Sequence, residues 1–287
     1  MPSVPLLLAR AALTSPFKRP RPNPHPPRQH LTALVHIRPT HLTAYERLCG
    51  FPTDALPPTY PHVLAFPLSL RLMTARTFPL PLLGLVHTSI EITQHHPLHP
   101  TEPLQLDVHV TELTPHRRGT QATLATEART TDGTLTWESR STFLSRHKTR
   151  TTPERTEPED GKEPTPPPTG AGAGAGAGTR TEWHLPADLG RRYASVSGDR
   201  NPIHLHPMTA RPFGFPHPIA HGMWTAARCL AEHAKEDAPR TPHHTRIDFK
   251  APVPLPSTVT YTSTGPAFAL HSPTGKPHLT GTIAALP

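Results

Sequence analysis

Residues 193–230 read YASVSGDRNPIHLHPMTARPFGFPHPIAHGMWTAARCL, and this stretch decides how the chain folds. Within it, Asp199 and His204 stand five residues apart, around an Asn201-Pro202 step. Neighbours on one helix face are three or four residues apart, so this pair cannot share such a face. Glycine and Asn-Pro steps break regular structure. The spacing therefore predicts a turn over Ser197–His204 that brings a carboxylate and an imidazole together, and such a pair can hold and activate one water.

A second signal lies about twenty residues further on. Ala220–Met223 leads into a run without proline, Trp224–Lys235, which predicts a helix. A glycine at the start of a helix leaves a backbone N–H open to a ligand oxygen, and the helix dipole favours developing negative charge there. Gly222 is therefore a candidate for binding a ligand oxygen.

These residues resemble the hydratase motif of the MaoC-like dehydratases, the (R)-specific enoyl thioester hydratases. The matching segments are Tyr193-Ala194, Ser197-Gly198-Asp199, Asn201-Pro202-Ile203-His204, Gly214-Phe215 and Pro218-Ile219-Ala220-His221-Gly222-Met223. One departure is His206, where the family often has Asp. We expect this departure to affect the rim of the site more than its chemistry.

The resemblance implies an α+β fold of the hot-dog type, in which an antiparallel sheet wraps a long helix. It places the catalytic pair on Asp199 and His204 and the carbonyl-binding N–H on Gly222. Three supporting positions near the pair are Ser197, Asn201 and His221. Asn201 reads equally well as a turn residue, and His221 also reads as a packed histidine at the helix start.

The activity implied by the resemblance is the reversible syn addition of water to a trans-2-enoyl thioester, giving an (R)-3-hydroxyacyl thioester in fatty-acid or related acyl metabolism. The sequence leaves open which member of the pair is the base. No metal or other cofactor is expected. The alternatives are a non-catalytic acyl-binding partner subunit, or another hot-dog enzyme such as a ring-opening enoyl-thioester hydrolase or a thioesterase.

The two parts of the chain repeat one pattern. Tyr45 and Gly50 have the same spacing as Tyr193 and Gly198, and each part reads as strand, helix, long helix and four strands. The predicted elements are strands at 31–38, 85–93, 104–113, 120–130, 135–145, 245–249, 258–263, 267–271 and 278–285, and helices at 41–50 and 63–75. The pattern predicts a double hot dog within one chain.

The first half lacks the acid/base pair. Phe51 and Leu56 stand where the second half has Asp199 and His204, and Gly50–Ala65 spans 15 residues against 22 for its counterpart. In two-domain members of the resembled family, the degenerate half commonly helps line the acyl tunnel. The sequence therefore predicts an apolar channel along the helix from residue 63 to 73, and the candidate channel residues are Val63, Ala65, Phe66 and Met223.

Composition and charge limit the classes of binding partner that are expected. The net charge of +8 is spread along the 287 residues, without basic patches that interleave with aromatic residues, so nucleic acid is not an expected partner. An acidic thioester carrier, coenzyme A or acyl carrier protein, suits the charge better. Arg246 and Lys250 either meet coenzyme A phosphates or are solvated surface charges. A homodimer is left open.

Only Cys49 and Cys229 occur, which implies no disulfide framework and fits a reducing cytoplasm. The apolar run Leu6–Leu13 is too short to span a membrane and follows no basic segment, so residues 1–30 are predicted to form an N-terminal arm. The expected domains are then 31–148 for the degenerate half, 149–180 for a disordered Pro/Ala/Gly linker and 181–287 for the hydratase half.

Overall fold

The computed structural model describes Lys18 and residues 25–53, 56–148, 178–236 and 241–286. The first half contains β1 (His30–Val35), α1 (Pro39–Cys49), α2 (Tyr60–Thr74), β2 (Leu85–Gln94), β3 (Leu104–His116), β4 (Gly119–Arg129) and β5 (Leu135–Arg146). The second half contains β6 (Arg180–Leu185), α3 (Leu189–Ser197), the one-turn α4 (Pro207–Ala210), α5 (Gly222–His233), β7 (His243–Phe249), β8 (Ser257–Thr264), β9 (Ala267–His271) and β10 (Pro277–Ala285).

All ten strands form one antiparallel sheet in the order β1-β3-β4-β5-β2-β7-β10-β9-β8-β6. Numbered within its own half, each set of five strands has the same order, 1-3-4-5-2. The halves therefore meet at their second strands, where Ile90 on β2 lies opposite Ile247 on β7. This is the α+β double hot-dog arrangement expected from the sequence, with the repeat visible in the strand order although the residues match only faintly.

Alternating hydrophobicity explains how the sheet wraps its helices. On β3, Leu104, Leu106, Val108 and Val110 are at most 4% exposed, while the residues between them are half-buried. Successive side chains on a strand point to opposite faces, so one face of β3 packs in the core and the other faces outward. Helix α2 is apolar over most of its circumference and mostly buried, as expected for a helix enclosed by a sheet.

Contacts between helices join the two halves. Helices α1 and α3 each end at a glycine in the left-handed conformation, Gly50 (φ 85°) and Gly198 (φ 76°), a backbone region that other residues adopt only with strain. The rings of Tyr45 and Tyr193 lie 6.1 Å apart. The indole N–H of Trp224 donates to the carbonyl of the first half's Leu48 at 3.2 Å.

Some boundaries differ from the sequence-based prediction. Helix α2 begins at Tyr60 rather than Val63, and α1 begins at Pro39 rather than His41. Both helices have a proline in their first turn, where its missing N–H costs nothing, so the earlier starts are compatible with the sequence. As a result Pro67, which would lie near the start of a helix that began at Val63, is in the interior of α2.

The predicted linker falls mostly on residues 149–177, which lie outside the described residues. Of the predicted arm, the structure describes Lys18 and residues 25–30. The Lys18 ammonium donates to the carbonyls of Met73 and Ala75 at 3.1 and 2.9 Å, at the end of α2 where the helix dipole favours a cation. Among the described residues, no helix combines the length and the hydrophobicity needed to cross a membrane.

Candidate active site

The turn predicted between Ser197 and His204 forms from local hydrogen bonds. Helix α3 ends at Ser197, and the Asp199 carboxylate then accepts the N–H of Asn201 at 3.1 Å. The Asn201 side chain in turn caps a single 3₁₀ turn, Pro202–His204. Short polar side chains that bond their own backbone two residues on are the usual means of fixing such turns. Asn201 is thus a turn residue by its contacts, and Ser197 accepts the Asp199 N–H at 3.2 Å.

Gly190 explains why α3 can pack against this turn. A Cβ at this position would lie 1.9 Å from the His204 carbonyl oxygen, so any other residue would push the turn away. The neighbouring Arg191 donates to the Leu205 carbonyl at 3.1 Å and fixes the same contact. Sequence reasoning did not single out Gly190, because a glycine inside a helix carries no visible signal of a close backbone approach.

His204 is held in one tautomer. Its Nδ1 lies 2.7 Å from the Ile219 carbonyl oxygen, and a carbonyl only accepts, so Nδ1 carries the hydrogen. The Nε2 lone pair of the neutral ring is then available to a ligand. Burial lowers the pKa of His204 below its ordinary value, while the Asp199 charge and the Ile219 carbonyl oppose that shift. His204 is therefore neutral near pH 7, in the form that accepts a proton.

His221 connects the turn between Ser197 and His204 to the start of α5 by a hydrogen bond and a ring contact. Its Nε2–H donates to the Asp199 backbone carbonyl at 2.9 Å, and its ring stacks on that of His204 with 3.7 Å between centroids. The side chain is buried, and this burial, followed by the charge of His204, lowers its pKa well below the ordinary value. His221 therefore stays uncharged and acts here as a packing and positioning residue.

The three side chains converge closely enough to share one small ligand. One ligand atom each from Asp199, His204 and His221 lies within 4.8 Å of the other two. A water that makes two hydrogen bonds of about 2.8 Å at a tetrahedral angle spans about 4.6 Å, so the group fits a bridging water. A carboxylate with two imidazoles is also a metal-ligand set. Only the His204 Nε2 and the His221 Nδ1 would be free for a metal, because the other two ring nitrogens bond carbonyls.

Gly222 is the first residue of α5, as predicted from its place in the motif. Its N–H donates to no other group among the described residues, so it remains available to a ligand. A Cβ on Gly222 would lie 3.2–3.5 Å from the Phe249 ring. The glycine thus lets an aromatic ring cover the helix start, and this apolar cover strengthens any hydrogen bond made there.

These groups face a cavity of about 1050 Å³ between the two halves. The size is at the upper end of the range of small-molecule sites. Every predicted catalytic and supporting residue lines it, and so do three of the four predicted channel residues, Val63, Phe66 and Met223. Ala65 does not line it: the structure places Ala65 in the core with no exposed surface, on a different side of α2.

Two histidines in the cavity wall were not singled out from the sequence, where they are lost among 22. The rings of His62 and His87 stack 6.0 Å apart, and His87 stacks on Phe143 at 4.5 Å. Burial lowers the pKa of His62 to about 4 and that of His87 to about 3. Both rings are therefore uncharged at neutral pH, and this part of the wall can contact an apolar ligand.

The mouth of the cavity is basic. Five exposed cations contribute to its lining, and they come from the β3–β4 turn, the end of β5, the turn between Ser197 and His204, and the segment after β7: Arg117, Arg118, Arg146, Arg200 and Lys250. Arg246 is not among the residues that line the cavity, and it pairs with Glu91 at 2.5 Å. Lys250 does line the cavity and lies 3.5 Å from Asp248. His206 is exposed and caps the one-turn α4 through its own ring, outside the cavity lining.

Fold and site together define a double hot-dog protein in which the second half carries an Asp/His pair and the first half supplies much of an apolar cavity. Comparison with known proteins agrees with this class. Residues 171–265 match the MaoC like domain. The chain is 35% identical to 3-hydroxyacyl-thioester dehydratase X of Mycobacterium tuberculosis, over 97% of both chains. The chain therefore belongs to the family of MaoC-like dehydratases.

Solved structures give the same fold. The crystal structure of HtdX from Mycobacterium tuberculosis superimposes with a TM-score of 0.72 at 30% identity, covering 90% of this chain and 100% of that one. A conserved hypothetical protein of the same organism, described as a double hotdog fold, superimposes with a TM-score of 0.57 at 12% identity, over 90% of this chain and 95% of its own. At that identity the likeness concerns the fold alone.

Proposed function

We propose that this protein is a hydro-lyase that interconverts trans-2-enoyl thioesters and (R)-3-hydroxyacyl thioesters. The observation that carries the proposal is the arrangement of three groups around one cavity. The Nε2 lone pair of His204, the Asp199 carboxylate and the free N–H of Gly222 all face it. A proton acceptor, a group that orients water and a donor for a developing oxyanion are what the addition of water to a conjugated thioester requires.

The catalytic steps follow from the tautomer of His204. A water bridging Asp199 and His204 gives its proton to the His204 Nε2 as its oxygen forms a bond to C3. The C2=C3 electron pair moves toward the thioester carbonyl, and the resulting enolate oxygen accepts the Gly222 N–H. The imidazolium then returns the proton to C2 on the same face, which gives syn addition and restores neutral His204. The Asp199 charge stabilises the imidazolium, since it raises the pKa of His204.

The expected contributions of these groups to the rate enhancement are moderate. Acid/base catalysis by a positioned pair contributes about 10²–10⁴ in rate, and one oxyanion donor about 10²–10³. Because the His204 imidazole and the Gly222 amide are already in place, little reorganisation of the protein accompanies the reaction. Dehydration uses the same groups in reverse, with neutral His204 removing the C2 proton.

The carrier enters at the basic mouth. Coenzyme A carries phosphates and acyl carrier protein has an acidic face, so the cations at the mouth provide an attractive potential for either carrier. The acyl chain then lies along α2 in the first half, where Val63, Phe66 and Leu70 line the cavity. In this arrangement the two halves have separate tasks, and we retain the predicted division of the chain on that basis.

One assay separates this activity from the others that the fold can support. Hydration removes the absorbance of the conjugated enoyl thioester without releasing free thiol, whereas a thioesterase releases thiol and a binding subunit changes neither. We expect loss of absorbance alone. Asp199→Asn and His204→Gln should each remove most of the turnover, and the double variant should cost little more, because groups that act as a unit are non-additive. Additive losses, or thiol release at the rate of absorbance loss, would contradict the proposal.

A further inference from the structure

A second cluster of histidine and carboxylate side chains lies on the outer face of the first half. On β3, Asp107 and His109 alternate with the buried Leu106 and Val108, so both point away from the core. The edge strand β1 pairs with β3 and places His30 directly opposite His109. The three side chains therefore share one face of two hydrogen-bonded strands.

The contacts within this cluster are close. The Asp107 Oδ1 lies 3.0 Å from the His30 Nδ1 and 2.8 Å from the His109 Nδ1. The two imidazole rings stack with 4.1 Å between centroids. One carboxylate is thus shared by two imidazoles, and one ligand atom from each residue lies within 4.8 Å of the other two.

These separations are close to those of a metal site. Zinc binds imidazole nitrogen and carboxylate oxygen at about 2.0–2.2 Å, so ligand atoms in a tetrahedral shell lie about 3.3 Å apart. The observed nitrogen-to-oxygen distances of 2.8–3.0 Å are shorter than this by about 0.3–0.5 Å, which small side-chain rotations can supply. We propose that His30, Asp107 and His109 form a binding site for a divalent transition-metal ion such as Zn²⁺, with water completing the shell.

The surroundings favour this use of the cluster. Among the described residues, the ion pairs of Asp107 are those with the two histidines, and Arg129 on the adjacent strand pairs with Glu127 at 2.8 Å instead. The carboxylate is therefore not bound to an arginine that a metal ion would have to displace. Two imidazoles and a carboxylate, with one position left open, are a common zinc ligand set.

The ion would also have a structural effect. Within the part of the chain that the structure describes, β1 is at the edge of the sheet and has β3 as its single neighbour. A metal held by His30 on β1 and by Asp107 and His109 on β3 ties the edge strand to the sheet. A ligand that binds the folded state alone stabilises it in proportion to its occupancy. Zinc should therefore raise the melting temperature.

The opposite edge of the sheet offers a matched control. Strand β6 takes the same place in the second half, and there His184 lies 3.7 Å from Glu182. This edge has one histidine and one carboxylate, so it lacks the third ligand. His184→Ala removes an exposed edge-strand histidine beside a carboxylate without touching the proposed site.

The test is titration of untagged, metal-free protein with Co²⁺, followed by competition with Zn²⁺ and thermal melts. The wild type should bind one Co²⁺ at this site with the strong visible absorption of a low-coordinate ion. His109→Ala and the isosteric Asp107→Asn should weaken binding at least about 10–100-fold, since loss of even an indirect metal partner costs that much. Both should also abolish the Zn²⁺-dependent rise in melting temperature, while His184→Ala behaves as wild type.

A further variant, His204→Gln, separates this site from the other His/Asp cluster, and it too should retain the Co²⁺ band. The proposal is overturned if His109→Ala and Asp107→Asn bind Co²⁺ as the wild type does. It is equally overturned if His204→Gln removes the band, or if the wild type shows neither the band nor a thermal shift.

Discussion

The cavity along α2 leads to a quantitative prediction about acyl length. Each additional CH₂ buried in an apolar site contributes up to about 0.8 kcal/mol. Going from a four-carbon to an eight-carbon enoyl thioester adds four such groups, so the gain in transition-state binding is up to about 3 kcal/mol, or about 200-fold in kcat/KM. The cavity of about 1050 Å³ has room for this addition. We therefore expect kcat/KM to rise steadily from crotonyl to trans-2-octenoyl thioesters.

Ser69 is the position at which to fill this channel. It lines the cavity from α2, and its hydroxyl donates to the Ala65 carbonyl of its own helix at 3.2 Å, so replacing it leaves no other element without a partner. Ser69→Phe should lower kcat/KM for octenoyl thioesters to near the crotonyl value and leave crotonyl turnover nearly unchanged. Ser69→Ala is the control, because it removes the hydroxyl without adding bulk.

The assay is the initial rate of absorbance loss for a series of enoyl thioesters on one carrier, with circular dichroism to verify folding. Ala65→Phe is a poor probe, since Ala65 is enclosed in the core and a larger side chain there would overpack it. The reasoning is refuted if the wild type prefers the four-carbon substrate. It is also refuted if a folded Ser69→Phe loses the same factor on every chain length, because the first half would then not shape the acyl site.

Four further predictions concern the site, the cavity and the linker. Gly222→Pro removes the oxyanion donor but keeps a residue suited to the first helical position, so the variant should fold and lose a factor of about 10²–10³ in kcat. The control Gly222→Ala keeps the N–H and makes the same contact with Phe249, so its loss of kcat should be smaller. Since His204 must be neutral to act and its pKa is lowered, kcat/KM should fall only below about pH 6.5, and Asp199→Asn should move this limb to lower pH by removing the charge that raises the pKa. The folded-state pKa of His87, about 3, lies below its unfolded value, so the stabilising contribution of this residue is present above about pH 6.5 and decreases as the pH falls. His87→Phe should therefore reduce the difference in unfolding free energy between pH 7 and pH 5, measured by urea unfolding, by about 2 kcal/mol. Shortening the Ala-Gly repeat within residues 149–177 should leave kcat unchanged in a folded variant.

Each of these predictions has a clear opposing result. Equal kcat values for Gly222→Pro and Gly222→Ala would remove the amide from the mechanism. An Asp199→Asn limb shifted to higher pH would mean that another group titrates. An unchanged pH dependence of stability in His87→Phe would show that this ring is not the buried titrating group. A large loss of kcat on trimming would give the linker a role in the site.

The sequence was most informative where function requires local chemistry. The turn with Asp199 and His204 and the helix start at Gly222 are recognisable because short polar residues, glycine and proline fix the backbone directly. Strand alternation was also readable, since one face of each half's sheet is buried. The double hot-dog architecture was implied by the resemblance of these motifs to the MaoC-like dehydratases together with the repeat in the chain, and the shared strand order of the two halves confirms it.

The features of the site that the sequence did not predict depend on contacts between residues that are distant in the chain. Gly190 matters because the His204 carbonyl approaches it, and His87 matters because Phe143 and Phe249 surround it. The tautomer of His204 depends on the Ile219 carbonyl, fifteen residues away. The misplaced channel residue, Ala65, shows that an apolar helix does not reveal which of its sides faces the cavity and which faces the core.

The covalent joining of two unequal halves has a consequence for how such a protein can change. In a pair of identical subunits every substitution is made twice, so a change in the channel wall also alters the catalytic half. Here Leu56 lies in the core and Phe51 packs against it, and the wall around Ser69 can vary while Asp199 and His204 stay fixed. The covalent joining of unequal halves thus lets substrate range diverge independently of chemistry, and related chains should differ more along α2 than around the turn with Asp199 and His204.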